Sequence, residues 1–474
     1  MANSDLTPDI CVIGAGSAGL SVAAGAVQMG ASVVLIEAGE MGGDCLNYGC
    51  VPSKALLAAA KQAETMRTGA KFGVAPAAPD VDFAAVMRHV RGVIDSIAPH
   101  DSQERFEGLG VTVIRDHARF TAPDAVAAGG RTVRARRFVV ATGSRPTAPP
   151  IPGLDGAPYL TNETVFANMT RPSRLIVIGG GPVGMEMAQA HRRLGAEVTV
   201  LEAFQPLGKD DPELAAVAID AIRGEGVDIR PEAMIDRVDW DGGGFTVTMD
   251  GGERLNSSHL LVAAGRAPNL EDMGLDAANV TYDRKGVAVD ARLRSVSNKK
   301  VFAAGDVASP FQFTHVAGYH AGIVIQNILF RLPRKARHAA VPWVTYTDPE
   351  LGQVGLTEAQ ARAEHGDDVL ILKHPFAEID RAIAERRTDG LVKLVAAKNG
   401  KLLGAGVVGV GAGDLLAPLA LAVARGDKVS RIAQAILPYP TRSEAAKRAA
   451  GGFYTPKLYN DRTRKIVRFL SRFG

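Results

Sequence analysis

Residues 9–37 read DICVIGAGSAGLSVAAGAVQMGASVVLIE. DICVI has the length and apolar content of a buried strand. GAGSAG then sets Gly14, Gly16 and Gly19 in G-x-G-x-x-G spacing, and the alanine-rich run Leu20 to Met29 reads as a helix that stops at Gly30. ASVVLIE reads as a second strand closing on Glu37. Strand, glycine turn, helix, strand and acid in that order form a dinucleotide-binding fingerprint. The glycines let the backbone approach a pyrophosphate at the helix N-terminus, and Glu37 can accept hydrogen bonds from a ribose.

The pattern returns at 174–202, RLIVIGGGPVGMEMAQAHRRLGAEVTVLE, with Gly179, Gly181, Gly184 and Glu202. First glycine and acid are equally spaced in both copies, 14 to 37 and 179 to 202. One such motif is a common turn; two in the same strand–helix–strand setting make two nucleotide sites. Each copy has a second echo, RRFVVATGSRP (136–146) and SHLLVAAGRAPN (258–269), a buried strand ending in small residues and glycine (Thr142 and Gly143; Gly265). The second unit therefore interrupts the first. Two sites suit FAD and a nicotinamide dinucleotide, one taking in hydride and the other passing electrons on. Glu202 favours NADH, because a carboxylate pairs with a free 2′-hydroxyl and repels a 2′-phosphate. Only Lys209 stands near it as a cation, while Ala188 leans weakly the other way.

Two of the three cysteines, Cys45 and Cys50, lie in MGGDCLNYGCVPSK (41–54). A closed zinc site needs four ligands, and no second pair exists. Cys11 falls inside the first strand as a buried apolar residue. A purely structural disulfide would close a very small loop. A redox pair is the third reading. Five helical residues rise ~7.5 Å, whereas a disulfide needs Cα atoms roughly 4.4–6.8 Å apart, so residues 45–50 cannot all be helical if the two bond. Gly49 can supply the break, and Pro52 suits the first turn of a helix running on through SKALLAAAKQAETM. Cys50 then sits at a helix N-terminus, where a thiolate is stabilised, with Lys54 one turn along.

Composition narrows the field. The 474 residues suggest about three domains. Hydrophobic content of 46% and charged content of 22% fit a soluble protein with large cores. A net charge of +3 and 5% aromatics give no footprint for nucleic acid. No signal peptide or membrane span is expected, which makes a cytoplasmic enzyme the expectation.

GGDCLNYGCVPSK, both fingerprints, both small-residue turns, VFAAGDVA (301–308) and VPWVTYTDPELGQVGLTEAQA (341–361) together resemble the class I pyridine nucleotide–disulfide oxidoreductases. That family includes dihydrolipoamide dehydrogenase, glutathione reductase and mercuric reductase. The resemblance implies a redox-active Cys45–Cys50 disulfide, with Cys50 facing the flavin in a charge-transfer contact and Cys45 attacking the acceptor. It places Lys54 near the flavin, paired with Glu186. It carries Gly43, Thr142, Gly143, Asp306 and His315 to the FAD site beside Gly14, Gly16, Gly19 and Glu37. Gly179, Gly181, Gly184, Glu202 and Gly265 go to NAD. The bland reading of His315 is a satisfied polar residue at an interface. The resemblance also implies a homodimer with shared active sites.

The match breaks at ILPYPTRSEAAKR, where Tyr439 replaces the histidine of the family's His–Glu proton shuttle while Glu444 is kept. Tyrosine, with an ordinary pKa near ~10, is a poor base at neutral pH. Mercuric reductase also resembles this chain in having tyrosine there, and a thiolate-bound soft metal ion needs electrons rather than a base. Yet no cysteine follows Cys50, and no metal-capturing domain is expected before the first fingerprint. The expected activity is electron transfer to a disulfide or dithiol acceptor, the alternative a metal-ion reductase. A membrane-associated redox sensor with little turnover is a third class, disfavoured by the retained Cys45, Cys50, Lys54 and Glu186. The tail YTPKLYNDRTRKIVRFLSRFG is basic and amphipathic; it would touch an anionic membrane weakly, pack on its own dimer or stay solvated.

The expected fold is α/β. A Rossmann-like FAD domain spans 1–150 and 276–340, with an NAD(P) domain inserted at 151–275. An α+β dimerisation domain covers 341–474. If Glu202 reads a free 2′-hydroxyl, kcat/KM for NADH exceeds that for NADPH, and Glu202→Ala narrows the gap at least about tenfold, ~1.4 kcal/mol. Steady-state kinetics with both nucleotides checks this; an NADPH preference in the wild type would contradict it.

Overall fold

Ile10–Ile13 lies at the centre of a five-stranded parallel sheet in a computed structural model that describes residues 5–473. The order is Val301–Ala303, Arg137–Val140, Ile10–Ile13, Val33–Glu37, Thr112–Arg115. All four residues of Ile10–Ile13 are buried, as expected for a strand covered on both faces. The following helix is Ser17–Gln28, three residues earlier at its start than the alanine run suggests, because the glycine turn ends at Gly16. Gly30 follows the helix in the left-handed region, its N–H bonded to the carbonyl of Val27.

The second fingerprint builds a four-stranded parallel sheet in the order Asp228–Arg230, Glu197–Leu201, Arg174–Ile178, His259–Val262, with helix Pro182–Arg193 after the glycines. The two units share atomic detail. Gly14 has φ +101° and Gly179 φ +111°, and a Cβ on either would sit 2.4 or 2.5 Å from the carbonyl oxygen of Ala141 or Ala263. A Cβ on Gly19 or Gly184 would lie 1.8 or 1.9 Å from the carbonyl oxygen of Gly14 or Gly179, so only glycine lets the helix close on its strand. Each unit also has a three-stranded antiparallel ribbon, residues 119–133 in one and 235–257 in the other.

The chain crosses between the units twice, side by side. Ser144–Pro146 and Arg266–Pro268 pair antiparallel, and Arg145 grips Glu271 with two hydrogen bonds of 2.8 and 2.6 Å. After helix Thr314–Leu329, which packs on Ser17–Gln28, the chain forms a five-stranded antiparallel sheet. Its order is Pro342–Thr345, Glu350–Gly355, Leu402–Gly409, Leu391–Ala397, Val369–Pro375. This is the mixed α/β fold with an interrupting second nucleotide unit that the spacing implied.

Buried charge joins the last sheet to the second nucleotide unit. Lys393, almost fully buried, bonds Asp211 at 2.9 Å, Glu213 at 3.0 Å and Glu358 at 2.7 Å. Burial alone would lower the pKa of its ammonium; the three carboxylates reverse that and hold it well above the usual lysine range. Lys393→Ala strands the buried carboxylate of Asp211 and costs about 3–5 kcal/mol. Arg145→Ala breaks an exposed pair and costs at most about 1 kcal/mol. Thermal unfolding of both variants checks the ranking, with a much larger fall in Tm expected for Lys393→Ala.

Candidate functional site

A cavity of about 1260 Å³ runs from the first glycine turn, past the thiols, to the sheet of the C-terminal domain. Gly14, Gly16, Glu37, Gly43, Thr142, Gly143, Asp306 and His315 all line it. Gly19 lies behind, against Gly14, where its role is helix packing. Gly43 also has positive φ, and a Cβ there would lie 2.7 Å from Cα of Gly16. Two backbone stretches are thus pressed together beside the start of helix Ser17–Gln28, whose free N–H groups favour an anion. Glu37 is held by the N–H groups of Ala15 and Gly39. Glu202 repeats this, accepting from Gly180 at 2.6 Å and Phe204 at 2.9 Å. These carboxylates are fixed, each oxygen keeping a lone pair for a ribose hydroxyl. The glycine cradle, the oriented acid and the volume of the cavity fit FAD.

Both thiols line the same cavity. Gly43–Asn47 is a short helix that breaks at Tyr48 and Gly49, and Cys50 opens helix Cys50–Arg67. Both cysteines are free. A hydrogen bond from Cys45 is the largest influence on Cys50. With Thr314 and the ammonium of Lys54 it outweighs burial and pulls the Cys50 pKa down to about 6. Thr314 Oγ1 lies 3.3 Å from Cys50 Sγ and can donate to the thiolate. Cys45 moves the opposite way, its pKa raised by that same contact and by burial. The contact thus favours the thiolate at Cys50 and the protonated thiol at Cys45.

Lys54 Nζ bonds Glu186 Oε2 at 2.7 Å and lies 4.4 Å from the centroid of the Tyr346 ring. The other oxygen of Glu186 accepts from the N–H of Tyr346 at 2.8 Å. Glu186 is buried on helix Pro182–Arg193, so the second fingerprint's helix reaches the thiols directly. Pro182, Val183 and Met187 of that helix line the same cavity. Gly181 has open space at its Cβ position, while Gly265 sits at the crossover, its carbonyl accepting from Thr147 N.

Asp306 accepts from Ser144 Oγ at 2.6 Å, and burial raises its carboxyl pKa against that bond. Arg266 donates to Ser144 and pairs with Asp44 at 3.2 Å, which fastens the residue before Cys45 to the crossover strand. Helix Thr314–Leu329 points its N-terminus into the cavity. His315 lines the wall there, but its Nε2 lies 2.9 Å from the carbonyl of Pro342 and its ring stacks on Phe313. That is the geometry of a polar residue satisfied at an interface.

Tyr439 and Glu444 do not reach the thiols of their own chain. Neither lines the cavity, and Tyr439 is 68% exposed. Its hydroxyl donates to Asp380 Oδ2 at 2.8 Å, a bond that raises the phenol pKa and removes it further from base chemistry. Glu444 Oε2 is buried and finds no hydrogen-bond partner among the described residues. Sequence reading passed over Thr314, Tyr346 and Ser144. Thr314 stands beside His315 in FTHVAGYHAG, and a hydroxyl at a helix start was its one available signal. Tyr346 and Ser144 gave none, since their partners lie 160 and 162 positions away.

Residues 8–321 match the family profile described as pyridine nucleotide-disulphide oxidoreductase, and 341–450 match that family's dimerisation domain. A mercuric reductase of Lysinibacillus sphaericus is 36% identical over 447 residues, covering 93% of this chain and 82% of its own. A dihydrolipoyl dehydrogenase of Thermus scotoductus is 35% identical over 464 residues, covering 96% and 99%. Among solved structures, a Cu(II) complex of the HOCl-induced flavoprotein disulfide reductase RclA from Escherichia coli superposes with TM-score 0.85 at 26% identity, over 94% of this chain and 99% of that one.

Alkylation of the reduced protein reads the thiol asymmetry. Cys50 gains its charge as pH rises through about 6, so its rate with iodoacetamide climbs through that pH and levels off by neutrality. Cys45→Ser weakens the largest stabilising contact and moves the midpoint upward. A wild-type midpoint in the ordinary thiol range of about 8.5 would contradict this.

Proposed function

This chain belongs to the pyridine nucleotide-disulphide oxidoreductase family, and from that premise we propose that it carries electrons from NADH through FAD to Cys45 and Cys50, and on to a disulfide acceptor. It is a flavin-dependent oxidoreductase that binds FAD and a pyridine nucleotide, and its dimerisation domain supports a homodimer. The chemistry that a flavin–nicotinamide pair supplies is two-electron hydride transfer.

The observation that carries the acceptor half is the split between two thiols that line one cavity, their mutual contact lowering the pKa of Cys50 and raising that of Cys45. In the proposed step Cys45 attacks one sulfur of the acceptor disulfide, and its proton passes to the thiolate that leaves as the mixed disulfide forms. The Cys50 thiolate then attacks Cys45 Sγ, expels the second thiolate and closes the Cys45–Cys50 disulfide. Lys54, fixed by Glu186, and Thr314 hold negative charge at Cys50 between these events. Tyr439 and Glu444 are proposed to face the partner's thiols. The domain limits proposed are 1–150 with 276–340, 151–275 and 341–474. NADH is supported by the orientation of Glu202 and by Arg230, whose guanidinium is already taken by Asp228 at 2.7 Å and Glu253 at 2.8 Å.

A second reading, reduction of a thiophilic metal ion, is favoured by Tyr439. Held by Asp380, it offers no base for Cys45, and a metal bound by both thiols displaces that proton itself. Mercuric reductases among the relatives support the same reading. Turnover with NADH on lipoamide, glutathione disulfide and Hg(II) separates the two. For a disulfide acceptor, Tyr439→His raises lipoamide kcat by about 10²-fold, the usual worth of a general acid–base group. Wild-type turnover of Hg(II) alone, unchanged by Tyr439→His, would instead establish the metal reading. Cys45→Ser abolishes either activity.

A further inference from the structure

We propose that residues 456–473 form an anchor that lays the homodimer on an anionic lipid bilayer. The segment lies beyond the family's dimerisation match, which ends at residue 450. Its helix, Asp461–Leu470, begins at the Asn460 cap and buries no residue. Every hydrogen bond and ion pair recorded for residues 461–473 stays within 456–473. Among the described residues, no hydrogen bond or ion pair therefore ties the helix to the body of the protein.

Its two faces differ in chemistry. At about 100° per residue, Ile466, Val467, Phe469 and Leu470 fall within one arc of about 160°. They are 49–59% exposed, and Phe473, packed edge-on against Phe469, is 74% exposed. Arg464, Lys465 and Arg468 fall on the opposite side. With Lys457, Arg462 and Arg472 the segment holds six cations against one acid, Asp461. An apolar stripe backed by cations matches a surface that offers hydrocarbon below and phosphate at its rim. A second protein copy would satisfy the stripe but not the like charge around it. The helix is too short to span a bilayer, and no helix among the described residues is long and apolar enough to do so. The segment therefore lies in the interface. One short helix holds a membrane marginally, but a homodimer carries two, so engagement of the first raises the effective concentration of the second.

The test is co-sedimentation of the full-length, FAD-loaded dimer with vesicles of phosphatidylcholine containing about one third phosphatidylglycerol. Expected is binding to these vesicles and not to pure phosphatidylcholine, with release at high salt. Arg464→Ala, Lys465→Ala and Arg468→Ala each weaken partitioning about fivefold, and Leu470→Asp abolishes it while dimer mass and NADH turnover stay unchanged. Absence of binding to the anionic vesicles at low salt would overturn the proposal. So would a wild-type assembly larger than a dimer that Leu470→Asp splits, because the stripe would then be a contact between copies.

Discussion

Lys54 has two negative neighbours, and the site depends on its serving both. Its ammonium bonds Glu186 at 2.7 Å and also lowers the charge cost of the Cys50 thiolate. Glu186 belongs to the helix of the second nucleotide unit, Cys50 and Lys54 to the helix of the first. One ion pair thus fixes the distance between the Cys50 helix and the second nucleotide unit. Tyr346, from the C-terminal sheet side, closes the group through its N–H on Glu186 and its ring over Lys54. All three parts of the fold meet at this cation. Its ring contact and its partial burial make the pairing stronger than a surface bridge.

The duplication runs deeper than glycine spacing. In both units the carbonyl just past the end of the neighbouring parallel strand faces the first glycine, the third glycine meets the first, and the acid is clamped by two N–H groups at equivalent positions. Those contacts are among backbone atoms, or between backbone and one carboxylate. They follow from local chain geometry, which is why residues 9–37 and 174–202 could be read without a structure. The thiol pair was legible for a related reason: Gly49 and Pro52 mark the helix break and the helix start within a few residues of the cysteines.

What stayed hidden was tertiary. Thr314 supports Cys50 across 264 positions, and Ser144 supports Asp306 across 162. A lone hydroxyl has no pattern to betray it. His315 drew attention because histidine is chemically versatile, yet the structure spends its Nε2 on the Pro342 carbonyl and leaves the wall position to a satisfied group. Tyr439 could be seen as a departure from the family, but its fixation by Asp380 could not, since that partner lies 59 positions away in a short helix.

The paired crossover strands have a consequence for the architecture itself. Because Ser144–Pro146 and Arg266–Pro268 run alongside each other, the inserted unit starts and finishes at one spot, its two ends only a strand spacing of about 4.8 Å apart. It is a cassette: a closed loop of chain mounted on a double-stranded stem that Arg145 and Glu271 brace. The stem is not its sole fastening, because Glu186 ties the unit to Lys54 and Tyr346, and Asp211 ties it to Lys393. Entry and exit at one spot, with ion pairs set apart from it, hold the unit against twisting as well as bending.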